Sequence, residues 1–126
     1  MGKKKILVIE DDQQLQAFVE EFLEEHDFEV LLANNGNEGL EVIQNNELDL
    51  ILTDLLMPEK DGVRVISEVK SQYSHIPVIA MSGGQSVFSP VFLEAAATLG
   101  AAKTITKPFR NEELLQSINE CIKSDS

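Results

Sequence analysis

The sequence predicts an α/β fold: an open, doubly wound parallel sheet of five strands with five helices. Short apolar runs alternate with stretches of helical periodicity five times along 126 residues, and strands alternating with helices build a parallel sheet covered on both faces. The strands are nearly continuous apolar runs, as strands buried on both faces must be. Five units are too few for a closed eight-fold barrel, which leaves the open sheet.

Ile6–Ile9 is the first apolar run and ends at Glu10. Leu15, Phe18, Val19, Phe22 and Leu23 follow at helical spacing, with Glu20, Glu21, Glu24 and Glu25 on the other face. Phe28–Ala33 reads as the second strand and Asn34–Asn37 as a turn. Leu40 and Val42–Ile43 fit a second helix, Leu48–Thr53 a third strand, and Val63, Ile66 and Val69 a third helix. Pro77–Met81 is the fourth strand. The Ala-rich stretch Phe92–Leu99 is a fourth helix stopped by Gly100. Lys103–Thr106 is a short fifth strand. Leu114, Leu115, Ile118, Cys121 and Ile122 mark a last helix with Asn111 as its expected N-cap.

Composition narrows the function. The net charge is -12, from 10 basic and 22 acidic residues, which disfavours direct binding to nucleic acid or anionic membrane. It suits cations and basic protein surfaces. One cysteine, Cys121, cannot form an internal disulfide and fits a reducing compartment; it reads as a small apolar core residue. No apolar run approaches a membrane span, and the start MGKKKILVIEDD meets acid too soon for a signal peptide. The expectation is a cytoplasmic chain forming one domain over residues 1–126. His26 and His75 sit among polar neighbours and read as solvated.

The stretch DLILTDLLMPEKDG carries the main question, because Asp54 interrupts an apolar run where burial of a carboxylate is costly. In open parallel sheets, ligands bind beyond the carboxyl ends of the strands. Strand 1 ends in Glu10, Asp11 and Asp12, strand 3 in Asp54, strand 4 in Ser82 followed by Gly83 and Gly84, and strand 5 in Lys107 and Pro108. Acids brought together in this way repel one another. A hard divalent cation with oxygen ligands, such as Mg²⁺, resolves that repulsion. Asp12 reads as a cap or a solvated acid.

ILVIEDD, TDLLMPEKDG, PVIAMSG and ITKPF, in this order, closely resemble a response-regulator receiver domain, and the resemblance covers residues from about Lys5 to Lys123. It implies the flavodoxin-like strand order 2-1-3-4-5, with Asp54 at the centre of the edge. It implies that Asp54 is the phosphoacceptor and attacks the phosphorus of a phosphohistidine on a histidine kinase or histidine phosphotransfer protein. Glu10 and Asp11 match the acidic pair that holds Mg²⁺ (or Mn²⁺), with Asp54 and the backbone carbonyl of Leu56 as further ligands. Ser82 matches the hydroxyl that turns toward the phosphoryl group, the Gly83 N–H should donate to it, and Lys107 should pair with it. The Lys107–Pro108 bond should be cis, as in relatives. The chemistry is positioning and charge neutralisation, so the chain is expected to be a signalling switch acting on an unknown downstream protein.

The sequence departs from the family at Thr104, where many receivers carry an aromatic ring, and in the long Gly-rich loop SGGQSVFSP. Residues 83–92 are therefore the expected output surface. Leu56 and Gly84 flank the site where the family tunes hydrolysis. Two other functions compete. A phosphatase of the haloacid dehalogenase type needs a second acid two residues after the first, where this chain has Leu56. An inactive receiver-like adaptor would not need the intact set Asp11, Asp54, Ser82 and Lys107. No GxxxxGK[ST] or GxGxxG phosphate loop is present.

Overall fold

The computed structural model describes residues 2–55, 61–83, 94 and 96–123. Its strands are β1 (Lys5–Ile9), β2 (Glu29–Ala33), β3 (Leu50–Asp54), β4 (Val78–Gly83) and β5 (Lys103–Lys107). They form one five-stranded sheet in the order β2-β1-β3-β4-β5, and every neighbouring pair is parallel. The helices are α1 (Gln13–Glu25), α2 (Gly36–Asn45), α3 (Asp61–Gln72) and α5 (Asn111–Lys123). Residues 94 and 96–99 are helical and form the described part of α4.

The twofold side-chain period of the strands divides the core into two layers. Leu7, Ile9, Ile51, Val78 and Ala80 pack with Ile43 of α2, Val65, Ile66 and Val69 of α3, and Ala96. Ile6, Val8, Leu50, Leu52, Ile79, Met81 and Ile105 pack with Val19 and Leu23 of α1 and Leu114, Ile118 and Cys121 of α5. Consecutive residues of one strand thus serve opposite faces, which is why the apolar runs Ile6–Ile9 in β1, Leu50–Leu52 in β3 and Val78–Met81 in β4 are unbroken. The edge strands β2 and β5 are only partly buried, and their sequences are correspondingly more mixed.

Local signals account for most boundaries. Asp12 caps α1, its Oδ1 accepting from the N–H groups of Gln14 (3.0 Å) and Leu15 (3.3 Å). Gly100, at φ 122, follows α4 and donates to the carbonyls of Ala96 and Ala97, the stop expected of a left-handed glycine.

Two expected boundaries shift. The turn at Asn34–Asn37 is shorter than expected, because Asn35 caps α2 and the helix begins at Gly36. Asn35 Oδ1 accepts from Glu38 N–H at 2.9 Å, while Glu38 Oε1 reaches back to Asn34 N–H at 2.9 Å, a reciprocal arrangement close to a capping box. Asn111 is not the cap of α5 but its first residue. The Arg110 carbonyl accepts the first helical bond, from Leu114, and the Arg110 N–H donates to Glu113 Oε1 at 3.1 Å. Glu113 reaches back to the residue before the helix, the half of a capping box that a glutamate supplies.

Candidate functional site

The carboxyl ends of the strands meet at one edge. Glu10 follows β1, Asp54 closes β3, Ser82 and Gly83 close β4, and Lys107 closes β5. Register sets their levels: Asp54 lies opposite Met81, Ser82 opposite Thr106, and Gly83 opposite Lys107. Because β3 lies between β1 and β4, Asp54 is flanked on both sides. Glu10, Asp54 and Ser82 are buried, at 1%, 4% and 0% exposure, whereas Asp11 is exposed.

One ammonium ties this edge together. Lys107 Nζ donates to Glu10 Oε1 at 2.8 Å and to Asp54 Oδ2 at 3.0 Å. The other oxygen of Glu10, Oε2, accepts from the Asp12 N–H at 3.0 Å. Asp12 therefore stays out of the cluster as a helix cap, as its sequence position suggested. Carboxylate oxygens of Glu10, Asp11 and Asp54 all lie within 4.8 Å of one another.

The electrostatics follow from burial and crowding. Burial pushes the Glu10 carboxyl from 4.5 up to about 7, against the opposing pull of its bonds from Lys107 and Asp12 and with further upward pressure from Asp54. Burial disfavours the Lys107 ammonium, but Glu10 and Asp54 outweigh it and hold its pKa above the ordinary value. Glu10 and Asp54 share the Lys107 ammonium with Asp11 close by, so among the described residues carboxylates outnumber cations at this edge. The donors of the acids are all oxygen atoms, the set that hard cations such as Mg²⁺ prefer, and Glu10, Asp11 and Asp54 could hold such an ion.

Of the residues expected at the site, Glu10, Asp11, Asp54 and Lys107 come together in this way. Ser82 and Gly83 stand at the end of the adjacent strand. Leu56 and the loop from Gly84 to Phe92 lie outside the described residues. The Lys107–Pro108 bond is cis, as the resemblance implied. Thr104 is exposed. His26 and His75 are exposed and Cys121 is buried, as expected.

Four contributors escaped the sequence reading. Gln16 is a buried polar residue on α1. Its spacing to Val19 and Leu23, three and seven residues on, was the available signal that it faces inward. Thr53 is fully buried and its Oγ1 donates to the Asp54 carbonyl at 3.2 Å. Gly62 packs against the end of β3, where a Cβ would run into the Asp54 carbonyl oxygen and come within 2.7 Å of Leu55 Cα. Phe18, 48% exposed, borders a cavity of about 460 Å³ lined also by Asp12, Leu15, Gly83, Lys107 and Phe109. Amphipathic spacing had placed Phe18 with the core, but the apolar stripe is wider than the sheet surface α1 covers.

An acid cluster at the carboxyl edge of a five-stranded 2-1-3-4-5 sheet, closed by a lysine, defines a narrow class of protein. The sequence profile of the response regulator receiver domain matches residues 6–119, and the chain belongs to that family. It is 34% identical over 119 residues to the response regulator ArlR of Staphylococcus saprophyticus, covering 94% of this chain and 52% of that protein. It is 33% identical over 119 residues to the CAI-1 autoinducer sensor kinase/phosphatase CqsS of Vibrio cholerae, covering 92% of this chain and 17% of that one. The chain thus spans about half the length of the first relative and less of the second. Among solved structures, a response regulator receiver domain from Clostridium thermocellum superposes with a TM-score of 0.89 at 30% identity, covering 97% of this chain and 96% of that one. A CheY-like receiver domain from Methanospirillum hungatei gives 0.87 at 28% identity, covering 98% and 96%. No helix among the described residues is long and apolar enough to cross a membrane.

Proposed function

We propose that this chain is a phosphorylation-switched receiver in which Asp54 accepts a phosphoryl group from a phosphohistidine of a histidine kinase or histidine phosphotransfer protein. An Asp54 carboxylate oxygen forms the new P–O bond as the P–N bond breaks, and the departing imidazole keeps or gains its proton. The observation that carries this reading is the Lys107 ammonium shared between Asp54 and Glu10. It fixes one oxygen of the central carboxylate in place, and it stands where phosphoryl charge would arrive. Ser82 and the Gly83 N–H, at the end of the neighbouring strand, are the remaining donors for the phosphoryl oxygens.

Glu10, Asp11, Asp54 and the Leu56 carbonyl would hold Mg²⁺ or Mn²⁺, which when bound neutralises charge between the acids and an incoming phosphate. Phosphorylation adds about -1.5 to -2 charges at pH 7, and Lys107 cannot satisfy this new charge and Glu10 equally. That conflict supplies the differential interaction a two-state switch needs. The reading takes residues 1–126 as one receiver domain in the cytoplasm, signalling through a protein partner and turning over only its own phosphoryl group. The single sheet running from β1 to β5 supports it. The charge of -12 argues against nucleic acid or anionic membrane as the direct target.

Incubation with a small acyl phosphate and Mg²⁺, followed by intact mass, tests the proposal. Addition of one phosphoryl group, abolished by chelator, is expected. No addition at any Mg²⁺ concentration would favour an inactive adaptor instead.

A further inference from the structure

Glu10 is held at four points, and only one of them is neither backbone nor a charged group of the site. Its N–H donates to the Ala33 carbonyl at 3.0 Å. Its Oε1 accepts from Lys107 and its Oε2 from the Asp12 N–H. Its carbonyl, just past the last residue of β1, accepts from Gln16 Nε2 at 3.0 Å. The same Nε2 lies 3.2 Å from the Ala33 carbonyl and 3.1 Å from Asn34 Oδ1. Two hydrogens serve three oxygens, so the amide is fixed by the ends of two adjacent strands at once. Asn34 is fixed in turn, because its Oδ1 also accepts from Gln13 Nε2 at 2.8 Å and its Nδ2 donates to Glu38 Oε1 at 3.2 Å.

A glutamine at 7% exposure on the inward face of an amphipathic helix costs stability unless its amide is satisfied. An apolar residue would fill the space more cheaply, but it would leave the Glu10 carbonyl without its side-chain donor. We infer that Gln16 is a positioning residue: its amide clamps the ends of β1 and β2 together and sets where the Glu10 carboxylate stands toward a divalent cation. The inference rests on the reading of Glu10, Asp11 and Asp54 as a Mg²⁺ site. Gln16 touches neither the ion nor the phosphoryl group. It acts through one backbone carbonyl, and outer contacts of this kind govern how well ligands converge.

The test is the Mg²⁺ dissociation constant of the unphosphorylated chain, measured by calorimetry for the unmodified protein, Gln16→Met and Val19→Ala. Methionine keeps the length and helix propensity and removes the donor. Val19→Ala loses packing on the same face of α1, away from Glu10. Direct partners of metal ligands typically contribute about 10–100-fold to affinity; one bond further out, Gln16→Met should weaken Mg²⁺ by about three- to tenfold. Val19→Ala should lower Tm without changing Mg²⁺ affinity. In metal-free protein, Gln16→Met should also speed exchange of the Asp12 amide that Glu10 Oε2 holds. If Gln16→Met lowers Tm and leaves both the Mg²⁺ constant and Asp12 exchange at their original values, Gln16 only fills space and the inference is overturned. Should Gln16→Met not fold, Asn34→Ala at the exposed end of the clamp must shift Mg²⁺ affinity in the same direction, and an unchanged constant there is equally contrary. Failure of the unmodified chain to bind Mg²⁺ would overturn the metal reading itself, and this inference with it.

Discussion

Lys107 Nζ lies 2.8 Å from Glu10 Oε1 although the two residues are 97 positions apart and β3 and β4 stand between their strands. The contact closes the carboxyl edge of the sheet over Asp54, 3.0 Å from the same nitrogen. Removing the ammonium leaves two buried carboxylates without their shared cation. Lys107→Ala should therefore lose about 1–3 kcal/mol of stability without divalent cation, and Mg²⁺ should restore part of the loss. Urea unfolding with and without Mg²⁺ measures both. An unchanged midpoint would show that the contact carries no weight.

Asp11 and Asp12 are neighbours with different jobs. Asp11 belongs to the acid cluster, whereas Asp12 caps α1. Asp11→Ala should sharply weaken Mg²⁺ binding and labelling with little effect on folding. Asp12→Ala should cost about 0.5–2 kcal/mol through the lost cap and largely spare Mg²⁺ binding. Calorimetric titration and thermal melts of both variants separate the roles; equal losses of Mg²⁺ affinity would undo the assignment.

The raised Glu10 pKa gives stability a pH dependence of definite sign. The folded carboxyl titrates at about 7 against an ordinary 4.5, so between these values the folded state binds more protons than the unfolded state. Stability contributed by this group is present at the acid end and is lost as pH rises through 7. Glu10→Gln, which keeps an acceptor for Lys107 and cannot ionise, should flatten this part of the metal-free stability profile from pH 5 to 8. Parallel profiles for the two proteins would contradict the burial argument.

Gly62 has no room for a side chain because the end of β3 occupies it. Gly62→Ala should force the backbone at Asp54 and Leu55 to move, costing about 1–3 kcal/mol as overpacking typically does. The labelling rate should fall with it, even when the variant is fully folded at the assay temperature. A variant that labels normally would mean that α3 can shift without disturbing Asp54.

The fold was legible because buried parallel strands leave a strong mark: Ile6–Ile9 and Leu50–Leu52 are apolar on both faces, and each run stops at a charged or polar residue. Asp54 and Glu10 were legible for the same reason, as charges at the ends of apolar runs, and Lys107 through the ITKPF motif at the end of the more mixed β5. Gln16 was not, since a lone amide on a helix announces no partners until the ends of β1 and β2 are brought beside it. Gly62 was not either, because its need for space comes from the end of β3 packed behind it. The cap of α5 was misplaced by one residue, as Asn111 and Glu113 are both plausible capping groups and only geometry selects between them.

The central claim is that Asp54 is the phosphoacceptor. Peptide mapping by mass spectrometry, after labelling with an acyl phosphate and Mg²⁺, tests it most directly. The account predicts one phosphoryl group, carried by the peptide containing Asp54, and no labelling of Asp54→Asn. Full labelling of Asp54→Asn at another residue, with the variant folded and binding Mg²⁺, would contradict it.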